Sequence, residues 1–164
     1  MESAKKWMDS LQLLPHPEGG WFREVYRSRL TIDKHPGKLE GTRSIATAIY
    51  YLLDRTTFST FHRLASDEIW HFYRGDPIVL HVLHPNGTLE KRRLGPNIDA
   101  GESLIVVVEA GLWFAARIAE GGDWALVGCT TSPGFDPMDF ELAEREELIR
   151  KFPQHRAVIE SLLR

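Results

Sequence analysis

Nine short stretches between residues 21 and 131 constrain the fold most. Residues 21–28, 43–53, 58–64, 68–74, 78–84, 88–93, 103–109, 112–118 and 123–131 are each rich in Val, Ile, Tyr, Phe and Thr. Turn signals separate most of them: Gly75-Asp76-Pro77, Pro85-Asn86-Gly87, Gly95-Pro96-Asn97 and Gly121-Gly122. Parallel neighbours need long crossover connections, which these gaps cannot hold. The strands must therefore pair antiparallel, in a sandwich or barrel. Asn86-Gly87 gives the clearest hairpin, because both residues tolerate positive φ.

Other patterns flank this β region. Over residues 3–14, Trp7, Met8, Leu11 and Leu14 recur at steps of three and four, which is one face of a helix. Pro15 and Pro17 stop it, and Pro15-His16-Pro17-Glu18-Gly19-Gly20 reads as a fixed, non-helical loop. A polar, mobile loop is expected over 30–42. After Pro133-Gly134 helical patterns return over 140–152 and, past Pro153, over 154–163; Glu141, Glu144, Glu146 and Glu147 suit the start of the first. The expectation is an all-β chain with a short N-terminal helix and C-terminal helices. It forms one domain over 1–164, with a barrel at about 21–131 and a helical tail at about 140–164.

Composition narrows the function. The chain has 164 residues, 43% of them hydrophobic and 26% charged, which suits one packed core and gives no case for disorder. A formal net charge of −3 argues against nucleic acid as a partner, and Lys91-Arg92-Arg93 reads as a solvated strand edge. No apolar run approaches the roughly 20 residues that span a bilayer, and the first residues lack an apolar signal core. Cys129, the one cysteine, sits in an apolar run and reads as a small buried hydrophobe. A soluble protein of a reducing, cytoplasmic compartment is expected, with no membrane partner.

Chemistry concentrates in Ser59-Thr60-Phe61-His62-Arg63-Leu64-Ala65-Ser66-Asp67-Glu68-Ile69-Trp70-His71-Phe72-Tyr73-Arg74-Gly75. Strand side chains alternate faces, so Thr60, His62 and Leu64 share one face and Glu68, Trp70 and Phe72 share one on the next strand. If both faces look inward, an imidazole and a carboxylate meet in one hollow walled by aromatic rings, as in small-molecule sites. His71 then points the other way.

Glu68, six residues and Gly75 resemble the second half of the first cupin motif, with His62 at the first histidine of its His-x-His pair. Residues 103–114 are similar to the second motif. The segments 15–20, 59–63, 66–75, 111–116 and 132–135 together resemble a small cupin family of uncharacterised function, in order from Leu13 to Leu142. The resemblance implies a jelly-roll barrel (a double-stranded β-helix), commonly dimeric and similar in fold to the dTDP-sugar epimerases. Metal-binding cupins use two histidines and a glutamate from the first motif and a histidine from the second. Here Leu64 and Phe114 stand at two of those four places, leaving His62 and Glu68. No cofactor is expected, because a catalytic metal normally takes three protein ligands; if a divalent metal binds, His62 and Glu68 are its candidate ligands.

Three functions compete. The first is a metal-independent epimerase or isomerase acting on a sugar or sugar-nucleotide, with His62 as base and Glu68 within hydrogen-bond reach holding its tautomer. A tyrosine acid is then required, and Tyr26 and Tyr50 are candidates. The second is a non-catalytic barrel that binds or senses a small ligand through Thr60, Trp70, Phe72 and Phe114. The third is a metal-dependent enzyme. A barrel filled solid by Leu64, Trp70, Phe72 and Phe114 would exclude all three, and a cavity of about 300 Å3 or more would exclude that filling. His16 and Glu18 either close over the mouth or brace the loop. Arg43 either meets an anionic substrate group or pairs with a local acid.

Overall fold

The computed structural model describes residues 3–33 and 41–164, so residues 34–40 of the expected polar loop lie outside it. The first helix, α1 (Ala4–Leu11), is capped by the Ser3 side chain and ends where Gln12 enters the left-handed region at φ 53°. It ends three residues earlier than its pattern suggests. Leu13 instead turns inward with Leu52 and Leu126, against Trp7, Met8 and Trp124, and Leu14–Pro15 forms strand β1.

The remaining strands are β2 (Trp21–Arg27), β3 (Thr31–Ile32), β4 (Arg43–Ser44), β5 (Thr47–Asp54), β6 (Phe58–Leu64), β7 (Asp67–Gly75) and β8 (Ile78–Leu83). They continue as β9 (Leu89–Leu94), β10 (Ile105–Val108), β11 (Trp113–Ile118), β12 (Trp124–Ser132) and β13 (Phe140–Leu142). One sheet has the order β1-β2-β5-β12-β7-β10, the other β13-β6-β11-β8-β9, and β3 pairs with β4. Every pairing between these strands is antiparallel. Tyr51, Leu53, Trp70, Val106 and Val127 from the first sheet interdigitate with Leu80, Val82, Phe114, Ala116 and Ile118 from the second. The result is the antiparallel two-sheet architecture expected from the strand spacing, in the jelly-roll form that the family resemblance implies.

The C-terminal tail departs from its expected course. Residues 140–142 extend the five-stranded sheet, with Phe140 opposite Leu64 and Leu142 opposite His62. Helix begins only at α2 (Arg145–Lys151), where Glu146 and Glu147 occupy the first turn, and continues in α3 (Arg156–Ser161). The reason is packing. Leu148, Phe152, Ile159 and Leu162 cover Phe61, Leu83, Trp113 and Ala115 on the outer face of the five-stranded sheet. Residues 140–142 gain more as an edge strand than as another helical turn.

Three bulges interrupt the regular alternation. On β2, Glu24 opposes Ile49 but Tyr26 opposes Ala48. On β6, Ser59 opposes Ala116 but His62 opposes Phe114. On β7, Phe72 opposes Val127 but Arg74 opposes Leu126. Each strand carries one residue more than its partner, which re-aims the side chains beyond it.

Candidate active site at the barrel mouth

A cavity of about 180 Å3 opens at one end of the barrel. Its polar lining is His16, Glu18, Glu24, Arg27, Thr47, Tyr51, His62, Glu68, Cys129 and Thr131; Phe22, Ile49, Leu64, Phe135, Pro137 and Phe140 form its apolar walls. The cavity leaves open space at this end of the barrel but falls short of the roughly 300 Å3 that would exclude a filled interior. Beneath it Trp70 meets Tyr51 and Phe114 edge-on, with ring centroids 5.5 and 6.2 Å apart. These rings close the floor.

Glu18 enters from the glycine loop. The loop is wedged against β5 and β6: Thr60 N donates to Glu18 O at 2.9 Å, and Tyr51 OH donates to Gly19 O at 2.6 Å. Gly19 has φ +115°, and a Cβ there would lie 2.0 Å from Phe58 O. No other residue lets the backbone come so close. The loop is thus a fixed wall, with Glu18 only 6% exposed.

The bulge in β6 brings Ser59 and His62, three residues apart, onto one carboxylate. Ser59 Oγ donates to Glu18 Oε1 at 2.9 Å, while His62 Nε2 lies 3.1 Å from Glu18 Oε2. His62 Nδ1 is 2.8 Å from Thr60 O. A carbonyl can only accept, so Nδ1 carries a hydrogen. Two bare lone pairs would repel across 3.1 Å, so a proton also lies between Nε2 and Glu18. The pair is then imidazolium–carboxylate or imidazole–carboxylic acid, and its net charge is zero in either form.

Glu68 stands on β7, in the opposite sheet. Trp70 Nε1 donates to its Oε2 at 2.8 Å, and its Oε1 has no hydrogen-bond partner among the described residues. Burial, and then the charge of Glu18, push its pKa up to about 8 against the pull of the Trp70 N–H. The shift favours the carboxylic acid form of this side chain. Burial likewise pushes the Tyr51 phenol and the Cys129 thiol upward, with Glu18 adding to both. It pushes the His16 imidazole downward, partly offset by Glu18.

Several expected site residues fall elsewhere. Glu68 is not the carboxylate that holds His62; Glu18 is. Thr60 sits on the bulge and turns away, its Oγ1 donating to Leu162 O at 2.9 Å. Trp70 and Phe114 lie under the cavity as packing, although the Phe114 ring stands 4.1 Å from that of His62. Phe72 packs against the core and does not line the cavity. Tyr26, displaced by the β2 bulge, is exposed, and Tyr50 stacks edge-on against Tyr73 outside the barrel. Arg43 takes the local-pairing option: its guanidinium grips Asp139 at 2.7 and 2.9 Å, both side chains buried.

His16 and Glu18 both line the cavity. Sequence reasoning missed Tyr51, Glu24 and Arg27. The inward alternation Thr47, Ile49, Tyr51, Leu53 would have found the tyrosine. Nothing in the sequence marks Glu24 and Arg27, which share a face only through the bulge. At the mouth, Arg27 donates to both Glu24 oxygens at 2.9 and 2.6 Å.

The donor set does not fit the four-ligand metal centre. Leu64 and Phe114 have no lone pair to offer, and His62 Nε2 is engaged by Glu18. Among the described residues no group of three or more His, Cys, Asp or Glu is arranged to hold an ion.

Two facing antiparallel sheets with a polar pocket between them at one open end define a cupin. The chain belongs to the cupin superfamily, in the domain family of unknown function DUF985, whose model matches residues 5–143. A hypothetical protein from Leishmania major is 36% identical, with a TM-score of 0.91 over 99% of both chains. Protein SO0799 from Shewanella oneidensis is 37% identical, with a TM-score of 0.90 over 100% of this chain and 99% of that one. The uncharacterized protein YML079W of Saccharomyces cerevisiae is 26% identical over 159 residues, 90% of this chain and 79% of its own. Oxalate decarboxylase from Bacillus subtilis shares the fold alone, at 15% identity and a TM-score of 0.56 over 36% of its length. Among the described residues no helix is long and apolar enough to cross a membrane.

Proposed function

We propose that the barrel mouth binds a small, partly apolar carbonyl or hydroxy compound, such as a sugar, and moves a proton at the carbon beside its carbonyl. This is the chemistry of an isomerase or epimerase. The observation that carries the reading is the pairing of two kinds of group across one cavity. The Glu18–His62 pair, sharing a proton, lies on one wall, and a neutral Glu68 acid lies on the other.

The residue roles follow from the hydrogen bonds. Both nitrogens of His62 are engaged, so Glu18, with His62 stabilising its charge, is the proton acceptor. Glu68, its hydroxyl free to face the substrate, is the donor to the carbonyl oxygen. Removing the carbon-bound proton to Glu18 and delivering the Glu68 proton to oxygen yields an enol; the reverse steps return a proton to carbon. The cavity's size supports a sugar-sized group inside, with any nucleotide portion held outside.

The test is incubation in D2O with aldoses, ketoses and small hydroxy or keto acids, watching for loss of carbon-bound proton signals by NMR. Deuterium incorporation that falls at least 100-fold in E18Q and in E68Q, the scale of acid–base catalysis, supports the reading. Ligand-induced thermal stabilisation without exchange at any carbon overturns it in favour of a binding module. One observation favours that second reading: Glu18 and His62 already satisfy their polar atoms within the protein.

Two physiological features belong to the same reading. The chain pairs as a symmetric dimer, because the β10 edge and the adjacent outer face expose Leu104, Ile105, Val107 and Tyr73. A reducing compartment such as the cytoplasm suits a lone buried thiol.

A further inference from the structure

The Lys91-Arg92-Arg93 run divides between two surfaces. Arg92 turns toward Glu90 and Glu109, with which it pairs at 2.9 Å each. Lys91 and Arg93 alternate to the opposite side, the outer face of the five-stranded sheet. There Arg93 and Arg117 both stand opposite Val79, from its two neighbouring strands, and Lys91 stands opposite His81. The C-terminal helices cover the other half of this face and leave this half open. The result is a shallow groove of about 500 Å3 lined by His81, Lys91, Arg93, Arg117 and the rim acid Glu120, among others.

Three observations distinguish this groove from an ordinary solvated strand. Lys91 and Arg117 make no ion pair among the described residues, and Arg93 shares its guanidinium with Glu102 through a single contact of 3.2 Å. Like charges on neighbouring strands repel, so a sheet gains nothing by collecting them unless an anion neutralises them. At their centre His81 is 7% exposed, with the Val79 carbonyl of its own strand and the cations of the neighbouring strands around it. The concentration of cations also inverts the sign of a chain whose formal net charge is −3.

We propose that this groove is a second ligand site, separate from the barrel mouth, that binds a compact polyanion of the phosphate or pyrophosphate class. Lys91, Arg93 and Arg117 supply the charge, and His81 supplies a proton-linked contact. His81 faces Lys91 from β9 and Arg117 from β11, with Arg93 and Glu120 beyond them. Burial first, then Lys91 and Arg117, hold its pKa down to about 4. A bound anion reverses the charge terms, so binding takes up a proton and strengthens as pH falls.

The test is calorimetric titration of the full chain with pyrophosphate, inorganic phosphate and chloride at one fixed ionic strength. Repeating it in buffers of different ionisation enthalpy counts the protons taken up. The expected result is saturable one-to-one binding in the order pyrophosphate, phosphate, chloride, weakened about tenfold or more in K91Q/R117Q, as loss of charge-assisted contacts requires. H81Q should bind with its proton uptake gone. K91Q/R117Q should melt no lower than the parent, because it relieves repulsion, so weaker binding is not misfolding. The proposal fails if pyrophosphate shows no saturable binding, if K91Q/R117Q binds it as well as the parent, or if chloride competes equally. It also fails if a single-stranded oligonucleotide binds this face and pyrophosphate does not.

Discussion

At the scale of single residues, the behaviour of Glu68 follows from its surroundings rather than from its motif. Its usual value of 4.5 rises to about 8 in the fold, so between those pH values the folded chain keeps a proton that the unfolded chain has lost. Stability from this group therefore falls as pH rises through that window and levels off above about 8. E68Q has no such titration. It should gain on the parent progressively across the window, by an amount on the order of 5 kcal/mol at most, as one pKa unit is worth about 1.4 kcal/mol. Urea unfolding from pH 5 to 9 measures the difference, and parallel curves for the two proteins would refute a raised pKa. E18Q removes the second cause of the rise, so the Glu68 carboxyl carbon should titrate lower in E18Q by NMR. His62 and Glu68 were legible in the sequence as inward-facing. Glu18 was legible as a loop residue that either closes over the mouth or braces the loop, but not as the partner of His62, because that contact crosses from residue 18 to residue 62, a distance no local pattern encodes.

At the scale of elements, alternation and turn signals placed the nine strands to within a few residues. They failed at the bulges, which add one residue without altering the hydrophobic pattern. That is why Thr60 was expected beside His62, when Ser59 holds that place, and why Tyr26 was expected inside. Residues 140–142 were read as helix because their partner, β6, is remote in sequence. Two substitutions test the braces. G19A forces a Cβ against Phe58 O at a left-handed φ and should cost about 3 kcal/mol, read as a lower urea midpoint. D139N leaves Arg43 beside a neutral partner and should lower the urea midpoint, whereas the R43M/D139L double variant should lower it by less than the two single losses combined. A full additive loss would show that the two side chains do not act as a pair.

At the scale of the whole molecule, one face of the barrel is cationic, another apolar, and the mouth holds charges balanced within itself. Light scattering coupled to size exclusion should give about twice the chain mass of 18.8 kDa. V107K/I105K, which places cations on the apolar edge, should return it to monomer. Treatment with EDTA should leave both the melting temperature and any proton exchange unchanged; loss that a divalent ion restores would move the chemistry to a metal centre.

The extra residue of β2 lies between Glu24 and Arg27, which both look into the hollow, and that of β6 lies between Ser59 and His62, which both reach Glu18. Deleting a single codon there would restore strict two-residue phase and turn everything beyond it, imidazole or guanidinium, to the solvent. The count of apolar residues would scarcely change, and the barrel would still find its partners. The interior of such a fold is thus set by frame as much as by composition, and a slip of one position is enough to give the same shell different contents.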